Sequence, residues 1–342
     1  MDKDKELFSG KLDTDTLKRS VLDKIKYKSE EVTVKAGVGI DCAVLNFGKY
    51  DCVVSSDPIT SSNKNIGILA IDISCNDIAS CGIKPIGITL VIMMPKGSTE
   101  NDIAEIMETA GEEAAKLEVE IIGGHTEVTD TVNTPILIST AIGRIEKGKC
   151  QTAEKMSAGD AVIITKTVGI EGTGIIANER EKDLLNFLSQ SEIEEAKKYI
   201  YAVSVIEDGT TAAEIGTHGM HDVTEGGILG AIWEMCNVKG LGVELIEEDI
   251  PISRLTRKIT EKIGVNPLKL ISSGTMLIIA SQEKKEKILE ALNKNGIDAK
   301  VVGEIKEREK GLKIRKKDGS LEDITAPKSD EIHQALTSDL KK

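Results

Sequence analysis

The chain has 342 residues, of which 40% are hydrophobic and 30% charged, and a formal net charge of −13. That length exceeds one typical core and predicts two domains, while the acidic balance argues against general binding to nucleic acid or anionic membranes and leaves room only for a local basic pocket. No apolar run approaches the roughly 18 residues of a membrane span, the amino-terminal MDKDKELFSGK lacks a signal-peptide core, and six cysteines without CxxC pairing predict reduced thiols in a cytoplasmic protein.

Aromatic residues make up only 2%, so the core is expected from Ile, Val, Leu, Ala and Met. Residues 11–27 read as an amphipathic helix through Leu17, Val21 and Ile25. Val32 and Val34 begin a strand, and Ala43–Leu45 and Cys52–Ser55 predict two more around Gly48. Asp41 falls just before one of these and Asp57 just after the other. Gly37 and Gly39 leave the backbone free to approach a ligand. A polar, mobile stretch is expected over 60–65.

Next comes IGILAIDISCNDIASCGIKP (66–85), a helix apolar almost all round and therefore buried. It carries Asp72, Asn76 and Asp77, with Gly82 placed to cap it and Pro85 to stop it. A buried carboxylate is costly unless a cation, a partner charge or hydrogen bonds satisfy it, so these residues are either a ligand site or hydrogen-bonded core polars. Gly87–Met94 predicts a buried strand and Ser98–Leu117 a helix capped by Thr99 with Asp102. Val119–Ile122 predicts a strand running into a Gly123-Gly124 turn whose N–H groups suit phosphate. Pro135–Ile142 is another strand. The polar run 146–157 is the expected linker, dividing the chain into 1–152 and 153–342.

In the second half, Asp160–Thr165 predicts a strand and Gly169–Gly174 a glycine-spaced loop. Residues 180–201 form a charged, solvated helical stretch, and 220–235 a polar loop feeding an apolar helix. Then follow a strand at Val243–Leu245, a helix at Arg254–Ile263, a strand at Thr275–Ala280, a helix at Glu283–Leu292, a strand at Ala299–Ile305 and a hairpin at Asp318-Gly319. The irregular alternation predicts α+β halves rather than a doubly wound sheet. His221 beside Asp222 is either a catalytic pair or a loop residue before a helix. Lys166 is a phosphate contact or a solvated strand-end lysine, and Cys75 and Cys81 are packing residues.

Asp41, Asp57 and Asp77 are hard oxygen donors of the kind that Mg²⁺ carrying a nucleotide triphosphate requires. No GxxxxGK[ST] phosphate loop is present. In order and spacing, GIDCAV (39–44), SSDPIT (55–60), NDIASCGIKP (76–85), GGHTEV (123–128) and HDVTEGGILGAIWE (221–234) resemble the ATP-binding superfamily of aminoimidazole ribonucleotide synthetase. Its members include thiamine-monophosphate kinase, selenophosphate synthetase and the hydrogenase-maturation dehydratase HypE. The resemblance runs from about Gly10 to Gly303 and is nearest the HypE-like branch.

It implies a two-domain α+β, PurM-like protomer whose amino-terminal mixed sheet forms a barrel across a homodimer, with ATP and Mg²⁺ in the cleft. By the same resemblance Asp41, Asp57 and Asp77 surround the metal, and Gly39, Asn76, Gly123, Gly124, His125, Thr126 and Glu127 line the nucleotide. Asp222 and Glu225 close over the phosphates, acting with Asp77 in catalysis. The implied reaction is γ-phosphoryl transfer to an oxygen nucleophile on a small-molecule or carrier-borne acceptor. The alternatives are a small-molecule kinase or a non-catalytic nucleotide-binding partner in a maturation complex. Two features depart from the family. HypE carries its substrate on a carboxy-terminal cysteine, whereas the last cysteine here is Cys236, so dehydration on its own tail is not expected. His125 stands where the kinase and HypE branches usually have Asp.

Overall fold

The computed structural model describes residues 7, 10–60, 65–327, 329–338 and 340. Most of the run 1–9, positions 61–64 of the expected mobile stretch and the last two residues of the tail lie outside them. The first half contains α1 (Thr14–Ser20), β1 (Val32–Val34), β2 (Ala43–Phe47), β3 (Tyr50–Ile59), α2 (Ile66–Ser80), β4 (Pro85–Pro95), α3 (Glu100–Leu117), β5 (Glu120–Thr129) and β6 (Ile136–Glu146). In the second half, β7 (Ala161–Thr165), α4 (Ile170–Glu179), α5 (Glu181–Leu184), α6 (Gln190–Lys197), α7 (Ile206–Ile215), β8 (Gly219–Asp222), α8 (Gly227–Lys239) and β9 (Gly242–Ile246) come first. They are followed by α9 (Arg254–Ile263), β10 (Met276–Ala280), α10 (Lys285–Lys294), β11 (Ala299–Lys306), β12 (Leu312–Arg315), β13 (Leu321–Asp323) and α11 (Glu331–Thr337).

The strands form two open mixed sheets, ordered β1-β2-β3-β6-β4-β5 and β13-β12-β9-β11-β7-β10-β8. Only β4–β5 and β12–β9 pair in parallel; the other ladders are antiparallel. This is a mixed α+β architecture. Among the described residues no helix is long and apolar enough to cross a membrane.

Helix α2 is the hinge of the packing. All its residues but Ile73 are buried, and it touches β3, β6 and α3 of the first half as well as α7 and β8 of the second. Burying side chains such as Leu69, Ile71 and Ile78 contributes about 2 kcal/mol each, so the helix is fixed by packing on every side. The expected capping box is present: Thr99 Oγ1 accepts from Asp102 N, and Asp102 Oδ2 accepts from Thr99 N at 2.6 Å.

Several expectations need correction. The amphipathic stretch 11–27 breaks after Ser20 into a single 3₁₀ turn at Leu22–Lys24, with no residue of α1 buried to hold a longer helix. Asp57 lies within β3, not after it, because β3 pairs with β6 as far as Ile59; β2 stops pairing at Val54, so Pro58 breaks no ladder on that side. Gly169–Gly174 is no loop: Gly169 caps α4, which already includes the following glycines. The stretch 180–201 is not purely solvated, since Ile193, Ala196 and Ile200 are buried. Helices α7 and α11 lay outside the predicted elements.

Gly123-Gly124 makes no turn. Both residues sit inside β5, at a register shift in its pairing with β4. Gly124 has φ +146, and a Cβ there would fall 1.8 Å from the Leu90 carbonyl oxygen, so the position demands glycine for packing of strand on strand.

Candidate functional site

Four carboxylates converge where β3, α2 and β8 meet. Ser55, buried on β3, is the hub of one side. Its hydroxyl lies 2.6 Å from Asp77 Oδ2, 3.0 Å from the Asp41 carbonyl and 3.4 Å from Asp57 Oδ2. The hydroxyl has one proton to give, and the shortest contact assigns it to Asp77. The Cys42 thiol donates to the Asp77 carbonyl at 3.1 Å, which ties the Asp41 segment to α2.

The other side is built on β8. His221 is buried, with Nδ1 3.2 Å from Asp41 Oδ2 and 3.8 Å from Asp222 Oδ1, and Nε2 3.2 Å from Glu234 Oε2. Glu234 in turn accepts from Lys11 Nζ at 2.8 Å. Gly39 (φ +65) lets the chain before Asp41 pass against α8, where a Cβ would meet Val238 at 3.0 Å. His221 therefore belongs to a strand and not to a loop, and it faces the acids.

The electrostatics follow from this crowding. Burial pushes the Asp41 carboxyl up to about 6, with Asp222 adding to the shift and His221 opposing it. Burial together with the charges of Asp222, Asp57 and Asp41 lifts Asp77 well above the carboxylate range. Against the pull of burial, Asp41, Asp222 and Glu234 raise His221 well above an ordinary imidazole. Against the push of burial, His221 and Lys11 hold Glu234 at about 2.

Asp222 is fully buried, and among the described residues neither of its carboxylate oxygens has a hydrogen-bond partner. Donor atoms of Asp41, His221 and Asp222 lie within 4.8 Å of one another. Buried carboxylate oxygens of Asp222 without a hydrogen bond, beside Asp41, Asp57 and Asp77, fit a hard cation, with the His221 imidazole answering Asp41 from one side.

The remaining expected residues fall elsewhere. Asn76 is fully buried, and its amide is engaged with the backbone of the other half: Nδ2 donates to Val203 O and Oδ1 accepts from Val205 N, both at 2.8 Å. That engagement makes it a clamp between halves. Glu225 sits half-buried between β8 and α8, close to Lys11. Gly123, Gly124, His125, Thr126 and Glu127 lie on the exposed edge strand β5. In register, Asp57 faces Ser139, Ser139 faces Leu90 and Leu90 faces Gly124, so three strand spacings, about 14 Å, separate Gly124 from Asp57. His125 and Glu127 share one face, 3.3 Å apart at Nε2 and Oε2, and both are solvent-exposed. Lys166 is not merely solvated; it donates to Asp208 at 2.9 Å and to the Ser204 carbonyl at 2.8 Å.

Sequence reasoning missed Ser55 as a hub, Glu234 and Lys11. Glu234 did carry a signal, a carboxylate in the apolar run GILGAIWEM. That is the feature which drew attention to α2.

Residues 39–145 match the AIR synthase related protein family, amino-terminal domain, and 157–314 match its carboxy-terminal domain. A putative hydrogenase expression/formation protein of Methanocaldococcus jannaschii is 29% identical over 305 residues, covering 86% of this chain and 89% of that protein. A chain of a solved HypE–HypF complex aligns with a TM-score of 0.76 at 22% identity, covering 91% of this chain and 99% of the other. A hydrogenase maturation protein HypE crystallised with ATP aligns at 0.71 and 20% identity, over 82% and 86% of the two chains. With both domain families matched in order across two open mixed sheets, the chain belongs to the AIR synthase related family, on its HypE-like branch.

Proposed function

We propose that this chain uses ATP with Mg²⁺ to transfer the γ-phosphoryl group to an oxygen nucleophile of an amide-type or small-molecule acceptor, releasing ADP. The observation that carries the reading is Asp222, a fully buried carboxylate with no hydrogen-bond partner among the described residues, set among Asp41, Asp57 and Asp77. Asp41, Asp57 and Asp77 would hold the metal together with Asp222. Bound there, Mg²⁺ would neutralise the charge of the transferring phosphate.

The chain's own residues supply position. Ser55 orients Asp77, Cys42 ties Asp41 to α2, and the Lys11–Glu234–His221 row holds the back of the cluster. Glu225, from the second half, faces the phosphates. Phosphoryl transfer needs placement and charge more than a covalent nucleophile, and the cluster provides both.

We further assign Gly123–Glu127 to a nucleotide site completed by a second copy. The two halves, 1–152 and 153–342, would flank the cleft. Helices α2 and α3 pack on one face of the first sheet, and the opposite face presents Val54, Val91, Ile138 and Ile142, none fully buried. Ile122 and Val128 are more than half exposed on the edge strand beside them. An uncovered apolar face with an open edge is what pairing of two sheets into a barrel across a homodimer would bury.

The deciding experiment is Mg-ATP turnover with ADP resolved from AMP, for the native protein and Asp77→Asn. ADP formation abolished by the substitution supports the reading. Absence of any ATP binding overturns it.

A further inference from the structure

Asp330, the residue before α11, is 5% exposed and divides its carboxylate between three segments of the second half. Oδ1 accepts from Ile332 N at 2.7 Å, which caps α11, and from Ile271 N at 3.1 Å, on the way into β10. Oδ2 accepts from Gly226 N at 2.7 Å. The helix is seated without that last bond. Ile332 and Ala335 are buried, α11 packs on α4, and Arg180 Nη1 donates to Ala335 O at 2.6 Å and to Ser338 O at 2.9 Å. The bond to Gly226 therefore serves its other end.

Gly226 ends the turn that carries the chain from Asp222, the last residue of β8, into α8. Its neighbour Glu225 is the residue assigned above to the phosphates, and α8 carries Glu234, which contacts His221 at 3.2 Å. Two successive left-handed glycines make the turn, Gly226 at φ +84 and Gly227 at φ +60. Glycine explores that region at little cost, so the pair does not hold the turn rigid by itself. It is held from outside. A Cβ on Gly227 would fall 2.6 Å from the Leu268 carbonyl oxygen, and one on Gly226 would fall 3.0 Å from Pro327 Cβ. The Gly226 N–H, ahead of α8, has no carbonyl of that helix to bond, and Asp330 is its acceptor.

We propose that Asp330 is a positioning residue of the phosphoryl-transfer site, fixing the turn 223–226 through Gly226 N and so setting where Glu225 meets the phosphates. This rests on the phosphoryl-transfer reading. Asp330 touches no reacting atom; it acts through the turn, and α11 is the strap that carries it there.

The division of the two oxygens separates this role from that of a helix cap. In Asp330→Asn the amide oxygen keeps the place of Oδ1 and both bonds made there, while the amide nitrogen meets Gly226 N as donor against donor. Asp330→Ser keeps a cap for α11 but is too short to reach the turn. In both variants kcat for ADP formation should fall about tenfold, the scale of one hydrogen bond to a charged group. KM for Mg-ATP should stay within about twofold, because Asp41, Asp57 and Asp77 are untouched. Hydrogen–deuterium exchange reads the turn directly: the peptide across 223–227 should exchange faster, and the peptide across 331–337 should stay protected. Unchanged kcat in both variants overturns the proposal, as does a loss of kcat accompanied by fast exchange throughout α11, the mark of a purely structural role. No ADP from the native protein would instead overturn the phosphoryl-transfer reading; faster exchange of the turn in Asp330→Asn would then leave the tie between tail and turn standing without it.

Discussion

Asp72 and Asp77 stand on the same helix and are both buried, and burial lifts both carboxyls well above their ordinary range. What differs is their company. Asp72 has Glu113 nearby, but also Lys116 and Lys166 and a hydrogen bond from Ser204. Asp77 has Asp222, Asp57 and Asp41, and no basic side chain figures among the causes of its shift. A buried acid is therefore no mark of function by itself. An acid whose charged neighbours are all acids, answered only by the Ser55 hydroxyl, needs a cation from outside the chain, and that separates the two ends of α2.

The largest effect is expected where that need is greatest. Asp77→Asn keeps shape and removes charge, so turnover of Mg-ATP should fall by about 100-fold or more, the scale of losing one preorganised electrostatic group. The thermal midpoint of the nucleotide-free protein should not fall, because burial with Asp222 and Asp57 already disfavours the charged carboxylate that the substitution removes. A variant that keeps most of its turnover would erase the distinction between the two aspartates.

Between the two acids lies Asn76, whose amide bridges Val203 O and Val205 N. Asn76→Ala leaves both backbone groups buried without partners, and a loss of about 3 kcal/mol in unfolding free energy is expected. Denaturant unfolding measures it. The comparison predicts a stability defect here and a catalytic defect one residue later. If Asn76→Ala instead lost turnover while keeping full stability, the clamp would have to be reassigned as part of the site.

How far the sequence discloses this depends on which range of interaction decides each feature. Helix α2, the Thr99 capping box and α9 are set by local pattern, and the structure matches them closely. The Asp41, Asp57 and Asp77 set was legible because acids interrupt apolar runs, a violation visible in one dimension. Gly123-Gly124 was misread because a turn and a bulge use the same residues; only the Leu90 carbonyl, distant in sequence, distinguishes them. The clamp at Asn76 was hidden for a similar reason, since its partners lie 127 and 129 residues away. Lys11 and Glu234, 223 residues apart, meet only because the segment before α1 reaches α8 of the second half.

Glu171 is a buried acid at a third place, and it tests whether an orphaned oxygen alone is enough. Its Oε2 has no hydrogen-bond partner among the described residues, and burial pushes the carboxyl up to about 7 against the opposing effect of Ser273, with Asp330 and Glu225 adding to the shift. The native state thus holds a proton that the unfolded chain releases at lower pH. Stability from this group is present at about pH 4 and is lost as pH rises through 7, by about 3 kcal/mol at most. Glu171→Gln should remove that slope, raising the midpoint at pH 8 and leaving it unchanged at pH 4. Turnover should change far less than in Asp77→Asn. A collapse of turnover would make Glu171 part of the chemistry and weaken the criterion of acidic company.

The smallest effect belongs to Asp72 itself and bears hardest on the comparison. Asp72→Asn removes a carboxylate that Lys116, Lys166 and Ser204 partly answer, next to an Asp208–Lys166 pair that remains intact at 2.9 Å. If burial were what made these acids functional, Asp72→Asn and Asp77→Asn would cost similar turnover, since both substitutions are isosteric on one rigid helix. If company decides, Asp72→Asn should lower turnover by less than about threefold and shift stability by about 1 kcal/mol in either direction, the range expected for one partly compensated buried charge. Measuring both variants at one saturating Mg-ATP concentration makes the ratio of their rates the result. A ratio near one means the helix acts as a single electrostatic unit, and a large ratio means that each turn of α2 is governed by what the other half of the chain packs against it.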